Sequence, residues 1–151
     1  MRLWEKVVAT GLGTGYLPIA PATFASLLAL LLWFLLIPQH LPLRCLLICI
    51  AFFYGVNVSA RLSVVWGKDP RKIVLDEISG MWLVLLLVPN GLWPGIAGFL
   101  VFRAFDVVKP PPIRRAEAVG KGWGIMLDDV LAAGYTAGLI RLLFLISRQS
   151  H

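Results

Sequence analysis

Long apolar runs alternate along the chain with short polar groups and with prolines or glycines. A membrane helix needs about 20 mostly apolar residues, and an uncharged apolar run of that order is its main signal in a sequence. Five stretches approach or reach this length. The first has only about 15 residues, so it crosses only if adjacent residues contribute or the bilayer thins locally. We therefore predict five membrane helices, at residues 23–37, 44–66, 73–88, 95–108 and 124–147.

Prolines and glycines mark the ends of these helices, because they break backbone hydrogen bonding or favour turns. Pro38 and Pro42 close the first helix, and residues 67–70 carry the turn signals that end the second. A Pro-Asn-Gly turn at 89–91 separates the third helix from the fourth, and three consecutive prolines at 110–112 stop the fourth. The pattern predicts an all-α, polytopic integral membrane helical bundle.

Composition supports lipid as the solvent of this bundle. Of the 151 residues, 59% are apolar and 15% are charged, and the mean hydropathy is +0.84, whereas soluble domains are nearer half apolar. One domain, residues 1–151, is all that this length supports.

The net charge of +6 does not indicate nucleic-acid binding, because the Lys and Arg residues form short groups between apolar runs. Of these 14 cations, all but Arg44, Arg141 and Arg148 fall on the side of the N-terminus. The positive-inside rule makes that side the cytoplasm.

All the carboxylates fall on the same cytoplasmic side, although the positive-inside rule concerns cations and does not require this. Several lie within about two turns of a helix end, at a depth where a carboxylate is costly unless it is paired, hydrated or bound to a metal. We therefore predict an active site at the cytoplasmic face. The eight carboxylates are Glu5, Asp69, Asp76, Glu77, Asp106, Glu117, Asp128 and Asp129, and all but Glu5, Asp69 and Glu117 lie at such a depth.

Two pairs of adjacent acids begin the predicted third and fifth helices: Asp76 with Glu77, and Asp128 with Asp129. Helix capping explains one acid at a helix N-terminus through the helix dipole. It explains two adjacent acids, twice, less well, because like charges crowd one another unless a cation offsets them. We therefore favour a metal site, and a ligand set made of oxygens alone suits Mg²⁺ or Mn²⁺ rather than zinc.

Arg103, Asp106 and Lys109 recur every three residues, which puts them on one face of the fourth helix. They form either an ion ladder at the surface, or a site in which Asp106 binds the metal while Arg103 and Lys109 bind phosphate oxygens. The neighbouring Arg114 and Arg115 either add to this positive field or are ordinary cytoplasmic charges.

A segment rich in Gly and Pro, residues 11–26, precedes the first helix, and no Gly-Lys-Ser/Thr follows that would make it a P-loop. It is either an entry loop with Thr23 as helix N-cap, or a cradle in which backbone N–H groups and the hydroxyls of Thr23 and Ser26 bind an anion. On the fifth helix, Gly134 and Gly138, with Ala133 and Ala137 beside them, form a small-residue face that we expect to pack against another helix.

Four blocks of the chain resemble the signature blocks of the phosphatidylglycerophosphatase A family, in that family's order. They are residues 13–26, 76–82 (Asp-Glu-Ile-Ser-Gly-Met-Trp), 102–114 (beginning Phe-Arg-Ala-Phe-Asp) and 124–129 (Gly-Ile-Met-Leu-Asp-Asp), within residues 11–135. The resemblance implies a Mg²⁺-dependent phosphatase of the bacterial inner membrane, with several membrane passes. Its substrate would be phosphatidylglycerophosphate in the cytoplasmic leaflet, and its products phosphatidylglycerol and inorganic phosphate.

Three positions depart from the pattern of that family. Ala22 and Ala25 stand where the family usually has glycine, and Pro111 stands where an aromatic residue is common. If those glycines let the backbone approach phosphate closely, the added methyl groups would weaken binding or shift the substrate preference.

We therefore expect a catalytic site at which one or two Mg²⁺ ions, with Mn²⁺ as a possible replacement, polarise the phosphoryl group. The nucleophile is either water or an aspartate.

One alternative is a non-enzymatic membrane protein that binds or carries a cation, which should have ionisable residues near the bilayer midplane. Another is a phosphotransferase that uses a nucleotide-activated lipid, whose Asp-rich motif is absent from this sequence. The predicted catalytic and metal-binding residues are Asp76, Glu77, Asp106, Asp128 and Asp129, and the predicted substrate-binding residues are Lys109, Arg103, Arg114, Thr23 and Ser26.

Overall fold

The computed structural model describes residues 3–66, 72–116, 118–120 and 122–149, and every regular element within these ranges is helical. The all-helical prediction is confirmed, because five of the helices, α2, α3, α4, α5 and α7, match the five predicted stretches. The predicted turn at 67–70 lies outside the described residues, as do Asp69 and Glu117. The helices are α1 (Leu3–Ala9), α2 (Pro21–Leu35), α3 (Leu41–Trp66), α4 (Leu75–Leu87), α5 (Leu92–Val108), α6 (Ile113–Ala116) and α7 (Gly122–Gln149), with a 3-10 turn at Thr14–Tyr16.

Four helices begin two or three residues earlier than predicted, and three of them, α2, α3 and α5, contain a proline in the first turn. α2 begins at Pro21 itself, α3 begins one residue before Pro42, and α5 begins two residues before Pro94. Proline is tolerated there, because the first backbone N–H groups of a helix have no partner within the helix. These prolines therefore start helices, whereas the sequence analysis had assigned Pro42 and Pro94 to the preceding loops.

Among the residues that the structure describes, two helices are long and apolar enough to cross a membrane. They are α3, over Leu41–Leu62, and the 28-residue α7. The other three predicted spans are shorter, with 15 residues in α2, 13 in α4 and 17 in α5. Helix length and composition thus support two crossings, and five crossings stay a prediction.

Helix α4 lies at the centre of the bundle and packs against α2, α3, α5 and α7. The indole N–H of Trp82 donates a hydrogen bond to the carbonyl of Ala29 on α2, at 3.0 Å. On another face, Gly80 allows α5 and α7 to approach closely, since a Cβ added there would lie 2.8 Å from Phe102 and 3.1 Å from the Cβ of Asp129. The position of α4 therefore fixes its neighbours relative to one another.

The N-terminal segment packs against the beginning of α4. The backbone N–H of Val74 donates to the carbonyl of Ala9 at 3.0 Å, and Gly15 lies so close to the backbone of Lys72 that a Cβ has no room. A salt bridge of 3.1 Å between Glu5 and Arg61 joins α1 to α3. Residues far apart in the sequence thus hold the start of α4.

Helix α7 runs alongside α4 and antiparallel to α3. Its first residue, Gly122, lies directly against the backbone of Val56 and Ala60. At the other end of the bundle, Nε of Arg141 donates to the carbonyl of Leu87, where α4 ends, at 2.5 Å. All the described residues beyond Arg141 are exposed, so the last turns of α7 extend past α4.

The small-residue face of α7 packs through its alanines, as expected, but not through its glycines. Ala133 and Ala137 are buried in the bundle, whereas Gly134 and Gly138 are exposed, and a Cβ added at either glycine would meet no atom within 4 Å. The glycines point away from the neighbouring helices because they lie one position further round the helix than the alanines.

Candidate active site

The structure brings together all the carboxylates that the sequence singled out, from three helices. One oxygen from each of Asp76, Glu77 and Asp129 lies within 4.8 Å of the other two, and we call these three residues the α4 group. The same holds for Asp106, Asp128 and Asp129, which we call the α5–α7 group. Asp129 belongs to both groups, so the carboxylates form one continuous cluster.

The helix dipole can act on Asp76 and Glu77 but not on Asp128 and Asp129. Asp128 and Asp129 lie almost two turns inside α7, because that helix begins at Gly122. Asp76 and Glu77 are in the first turn of α4, but the N-cap residue is Val74 and no side chain caps that helix. Helix-dipole effects fall off within the first turn, so they do not reach Asp128 and Asp129.

The cluster is deeply buried. Glu77 is 9% exposed, Asp128 5% and Asp129 2%. Oδ1 of Asp76, Oε2 of Glu77 and both carboxylate oxygens of Asp129 are inaccessible and receive no hydrogen bond. Burying an ionised carboxylate costs several kcal/mol unless a partner compensates. A bound cation would therefore stabilise this arrangement.

The donor set fits a hard divalent cation. Mg²⁺ binds oxygens at about 2.1 Å, so opposite ligands of an octahedral ion lie about 4.2 Å apart. The carboxylate oxygens of each group lie within 4.8 Å of one another, so they need to move only slightly closer together to reach that distance. Each group consists of carboxylates without His or Cys, which suits Mg²⁺ or Mn²⁺ and disfavours zinc.

Two of the three cations predicted to bind the substrate, Arg103 and Lys109, each contact a carboxylate of the cluster. Nη1 of Arg103 lies 2.6 Å from Oδ2 of Asp106, one turn along α5. Nζ of Lys109 donates to Oδ2 of Asp128 on α7 at 2.8 Å. Lys109 is the C-cap of α5 and has left-handed backbone angles, with φ 46° and ψ 62°. The pairing of Arg103 with Asp106 could be predicted from their spacing along α5. The contact between Lys109 and Asp128 on α7 could not.

The remaining predicted substrate-binding residues are not joined to the cluster. Ser26 is buried and its hydroxyl donates to the carbonyl of Ala22 at 3.0 Å, within its own helix. The N-cap of α2 is Ala20, so the interpretation of Thr23 as N-cap is wrong: Thr23 lies in the first turn. Arg114 is exposed on the short helix α6. Within the described residues, none of Thr23, Ser26 and Arg114 forms a hydrogen bond or ion pair with the five carboxylates.

Gly80 contributes to the site in a way that the sequence analysis did not recognise. It is four residues after Asp76 and three after Glu77, so it shares their face of α4. Because it lacks a side chain, the backbone of α7 can approach α4 at Asp129. The spacing Asp-Glu-x-x-Gly was the available signal, since a glycine on the functional face of a helix indicates close helix contact.

Comparison with known proteins identifies the family of this chain. The family model described as phosphatidylglycerophosphatase A matches residues 7–144. A protein of Bacteroides thetaiotaomicron named putative phosphatidylinositol-3-phosphatase is 39% identical over 142 residues, covering 89% of each chain. The phosphatidylglycerophosphatase A of Escherichia coli is 36% identical over 89% of this chain and 80% of its own.

A third relative, the phosphatidylglycerophosphatase A of Haemophilus influenzae, is 38% identical over 85% of this chain and 82% of its own length. No solved structure matches the chain. The family model covers the acid pairs of α4 and α7 and the cations of α5, so the match includes the whole carboxylate cluster. The chain belongs to the phosphatidylglycerophosphatase A family, and it is a phosphatase.

Proposed function

We propose that this phosphatase removes the terminal phosphate from phosphatidylglycerophosphate at the cytoplasmic face of the bacterial inner membrane, with Mg²⁺ as its cofactor. The products are phosphatidylglycerol and inorganic phosphate, so the enzyme acts in phospholipid biosynthesis. The observation that carries this proposal is the cluster of buried carboxylate oxygens without donors, flanked by Arg103 and Lys109, in a chain of this family.

The residues of the cluster have separate tasks in this reaction. The carboxylates of the α4 and α5–α7 groups hold Mg²⁺, which when bound supplies positive charge to the phosphoryl group. Arg103 and Lys109 are within reach of the same space, and each can turn from its carboxylate to a phosphate oxygen. These residues thereby bind the phosphate, orient it and offset the charge that develops as the bond breaks.

The bond that breaks joins phosphorus to the oxygen of the lipid headgroup. That oxygen leaves with the electron pair and takes up a proton, and water supplies the oxygen that replaces it on phosphorus. The attacking group is either this water or a carboxylate of the cluster, whose acyl phosphate water then hydrolyses.

The dimensions of α7 support a shallow, cytoplasmic site. Some 20 residues separate Asp128 from Arg148, which is about 30 Å of helix and equals the thickness of the hydrocarbon core. With Arg148 at the far interface, Asp128 lies at the cytoplasmic interface. The lipid can keep its acyl chains in the bilayer while its headgroup reaches the cluster. The shorter α2, α4 and α5 then complete five crossings where the bilayer is thin.

A second substrate has a specific observation in its favour. The Bacteroides relative is named for phosphatidylinositol 3-phosphate, and its identity to this chain is as high as that of the phosphatidylglycerophosphatases. Both lipids present a phosphomonoester on a polyol headgroup attached to the same phosphatidyl anchor. The carboxylate cluster acts on the phosphomonoester that both lipids share. Residues outside the cluster must therefore distinguish the two headgroups.

The alternative of a cation carrier is weaker. A carrier needs ionisable residues along a path through the bilayer. The described carboxylates all lie at one end of the bundle, where Glu5 pairs with Arg61 and the cluster joins α4, α5 and α7.

Phosphate release from a panel of lipids tests the proposal. The purified protein in detergent should release phosphate from phosphatidylglycerophosphate faster than from phosphatidylinositol 3-phosphate, and slowly from water-soluble glycerol 3-phosphate. EDTA should abolish release and Mg²⁺ should restore it. Absence of release from every lipid phosphate in the presence of Mg²⁺ would refute the enzymatic proposal. Preference for the inositol lipid would replace the first substrate by the second.

A further inference from the structure

The two groups of carboxylates differ in how their charge is compensated. In the α4 group, each of Asp76, Glu77 and Asp129 has at least one buried oxygen that receives no hydrogen bond. No Lys or Arg of the described residues forms an ion pair with any of these three carboxylates. The α4 group is therefore the place where the cluster most needs an added cation.

The α5–α7 group already has cations of its own. Asp106 contacts Arg103, and Asp128 contacts Lys109. The other oxygen of Asp128 accepts a hydrogen bond from the backbone N–H of Asp129 at 3.0 Å. Only Asp129 brings uncompensated oxygens to this group, so a cation here competes with two side chains that are in place.

The formal charge of the cluster also indicates that a first added cation binds more tightly than a second. The cluster's carboxylates together with Arg103 and Lys109 carry about −3. One divalent cation lowers this charge to about −1, and a second would make it about +1. A site that is already close to neutral attracts a second cation weakly, whereas an arriving phosphate dianion makes that cation favourable again.

We propose that the cluster binds two divalent cations of unequal affinity. A resident ion occupies the α4 group, and a second, weaker ion occupies the α5–α7 group when phosphate binds. Asp129 contributes to both positions. Both of its oxygens are buried without a hydrogen-bond donor, so one is available to each group. This inference rests on the proposed metal-dependent function and adds the number, order and ligands of the ions.

Lys109 and Arg103 decide when the second ion enters. In the absence of phosphate they compensate Asp128 and Asp106 and so occupy the place of the second ion. When phosphate binds, they turn to its oxygens and release the two carboxylates. The second cation and the substrate therefore strengthen each other's binding, as thermodynamic linkage requires.

Mn²⁺ binding to the purified protein in detergent tests the proposal, with electron paramagnetic resonance and calorimetry as readouts. The wild-type protein should bind two Mn²⁺ ions whose dissociation constants differ by about tenfold or more. Inorganic phosphate should tighten the weaker ion alone. With both ions bound, the spectrum should show the spin coupling expected of ions about 4 Å apart.

Four variants assign the two ions to their groups. Asp76→Asn should weaken the tight ion by about tenfold or more, and Asp106→Asn should remove the weak ion while the tight ion is retained. Asp129→Asn should weaken both ions. Lys109→Met should tighten the weak ion without phosphate and remove the effect of phosphate. Glu5→Gln, on a carboxylate that pairs with Arg61 outside both groups, is the matched control and should bind both ions as the wild type does.

A single bound Mn²⁺ at saturation would overturn the proposal, as would loss of the same ion in both Asp76→Asn and Asp106→Asn. Lipid phosphatase assays on the same preparations separate this inference from the proposed function. Full activity with one bound ion overturns the two-ion inference and leaves the function intact. Two bound ions without hydrolysis of any lipid phosphate support the two positions and overturn the function.

Discussion

Asp129 is the residue at which the requirements of folding and of function oppose each other most directly. Asp129 is 2% exposed, and its carboxylate belongs to both groups of acids and receives no hydrogen bond. A buried charge without a partner destabilises a fold, and such sites persist when binding requires them.

Asp129→Asn should therefore stabilise the metal-free protein. The amide removes a buried charge and can donate to neighbouring carboxylates, so the free energy of unfolding in EDTA should rise by about 1–3 kcal/mol. Mg²⁺ should raise the melting temperature of the wild type, because it binds the folded state, and should have much less effect on the variant. Thermal unfolding of both proteins in EDTA and in Mg²⁺ measures this, and a variant less stable than the wild type in EDTA would contradict it.

Gly80 provides a second prediction at the scale of one residue. In Gly80→Ala the added methyl meets the ring of Phe102 on α5 at 2.8 Å and the Cβ of Asp129 on α7 at 3.1 Å, so the Phe102 ring must move and α7 must move slightly away from α4. We expect phosphatase activity to fall by about tenfold, because a displacement of about 1 Å at a reacting site lowers the rate by about 100-fold and the shift needed here is smaller. The measurement is phosphate release from purified protein under saturating Mg²⁺.

Gly134→Ala is the matched control for Gly80→Ala. Gly134 lies on α7 in the same bundle, but a methyl group added there meets no atom within 4 Å. Alanine favours a helix over glycine by about 1 kcal/mol, so this variant should be at least as stable as the wild type and fully active. Equal activity of the two variants would show that the close approach at Gly80 does not matter for catalysis.

The sequence predicted which acids lie together but not how they pair. Adjacent carboxylates such as Asp128 and Asp129 stand out in an apolar sequence because each is costly to bury. The contact between Lys109 and Asp128 depends on the left-handed C-cap of α5 and on how α7 is positioned beside it, and neither is encoded in local spacing. The hydroxyl of Ser26 looked available in the sequence, but it is used within its own helix.

At the scale of elements, the N-terminal segment supports the start of α4. Gly15 lies against the backbone of Lys72, and Val74 bonds to Ala9, immediately before the helix that carries Asp76 and Glu77. A segment that the sequence suggested as an anion cradle thus has a structural task that is visible in its contacts.

Gly15→Ala should displace the start of α4, because its Cβ would overlap the carbonyl oxygen of Lys72. We expect lower Mn²⁺ affinity and at least about tenfold lower phosphatase activity, with little change in helix content by circular dichroism. Gly120→Ala is the control, since nothing lies within 4 Å of its added Cβ. Unchanged Mn²⁺ affinity in Gly15→Ala would show that the N-terminal segment does not position the acids.

The five longer helices were predictable because apolar runs and turn residues report on local structure. The first residue of each helix was harder to predict, because proline suits both a loop and the first turn of a helix, as Pro42 and Pro94 show. The short helices α1 and α6 were not predicted. They are seven and four residues long, too short for a periodic pattern, and their packing against α3 and α7 is a tertiary effect.

At the scale of the whole molecule, the orientation of the bundle makes a separate prediction. Loops at the acid end should face the cytoplasm, and the loop that contains Asn90 should face the other side. Cys45 and Cys49 are free, so they are first replaced by alanine. A cysteine at Val119, which is 47% exposed, should then react with a membrane-impermeant maleimide only in inverted vesicles. A cysteine at Asn90 should react only in intact spheroplasts, and the reverse pattern would refute the orientation.

The central claim is that the cluster around Asp129 is the metal-dependent phosphatase site. The most direct test measures phosphate release from phosphatidylglycerophosphate by wild-type protein, Asp129→Asn and the control Glu5→Gln, each stripped with EDTA and then supplied with Mg²⁺. We predict that Mg²⁺ restores activity to the wild type and to Glu5→Gln, while Asp129→Asn stays at least about 100-fold lower. Wild-type turnover in EDTA, or full activity of Asp129→Asn with Mg²⁺, would contradict the claim.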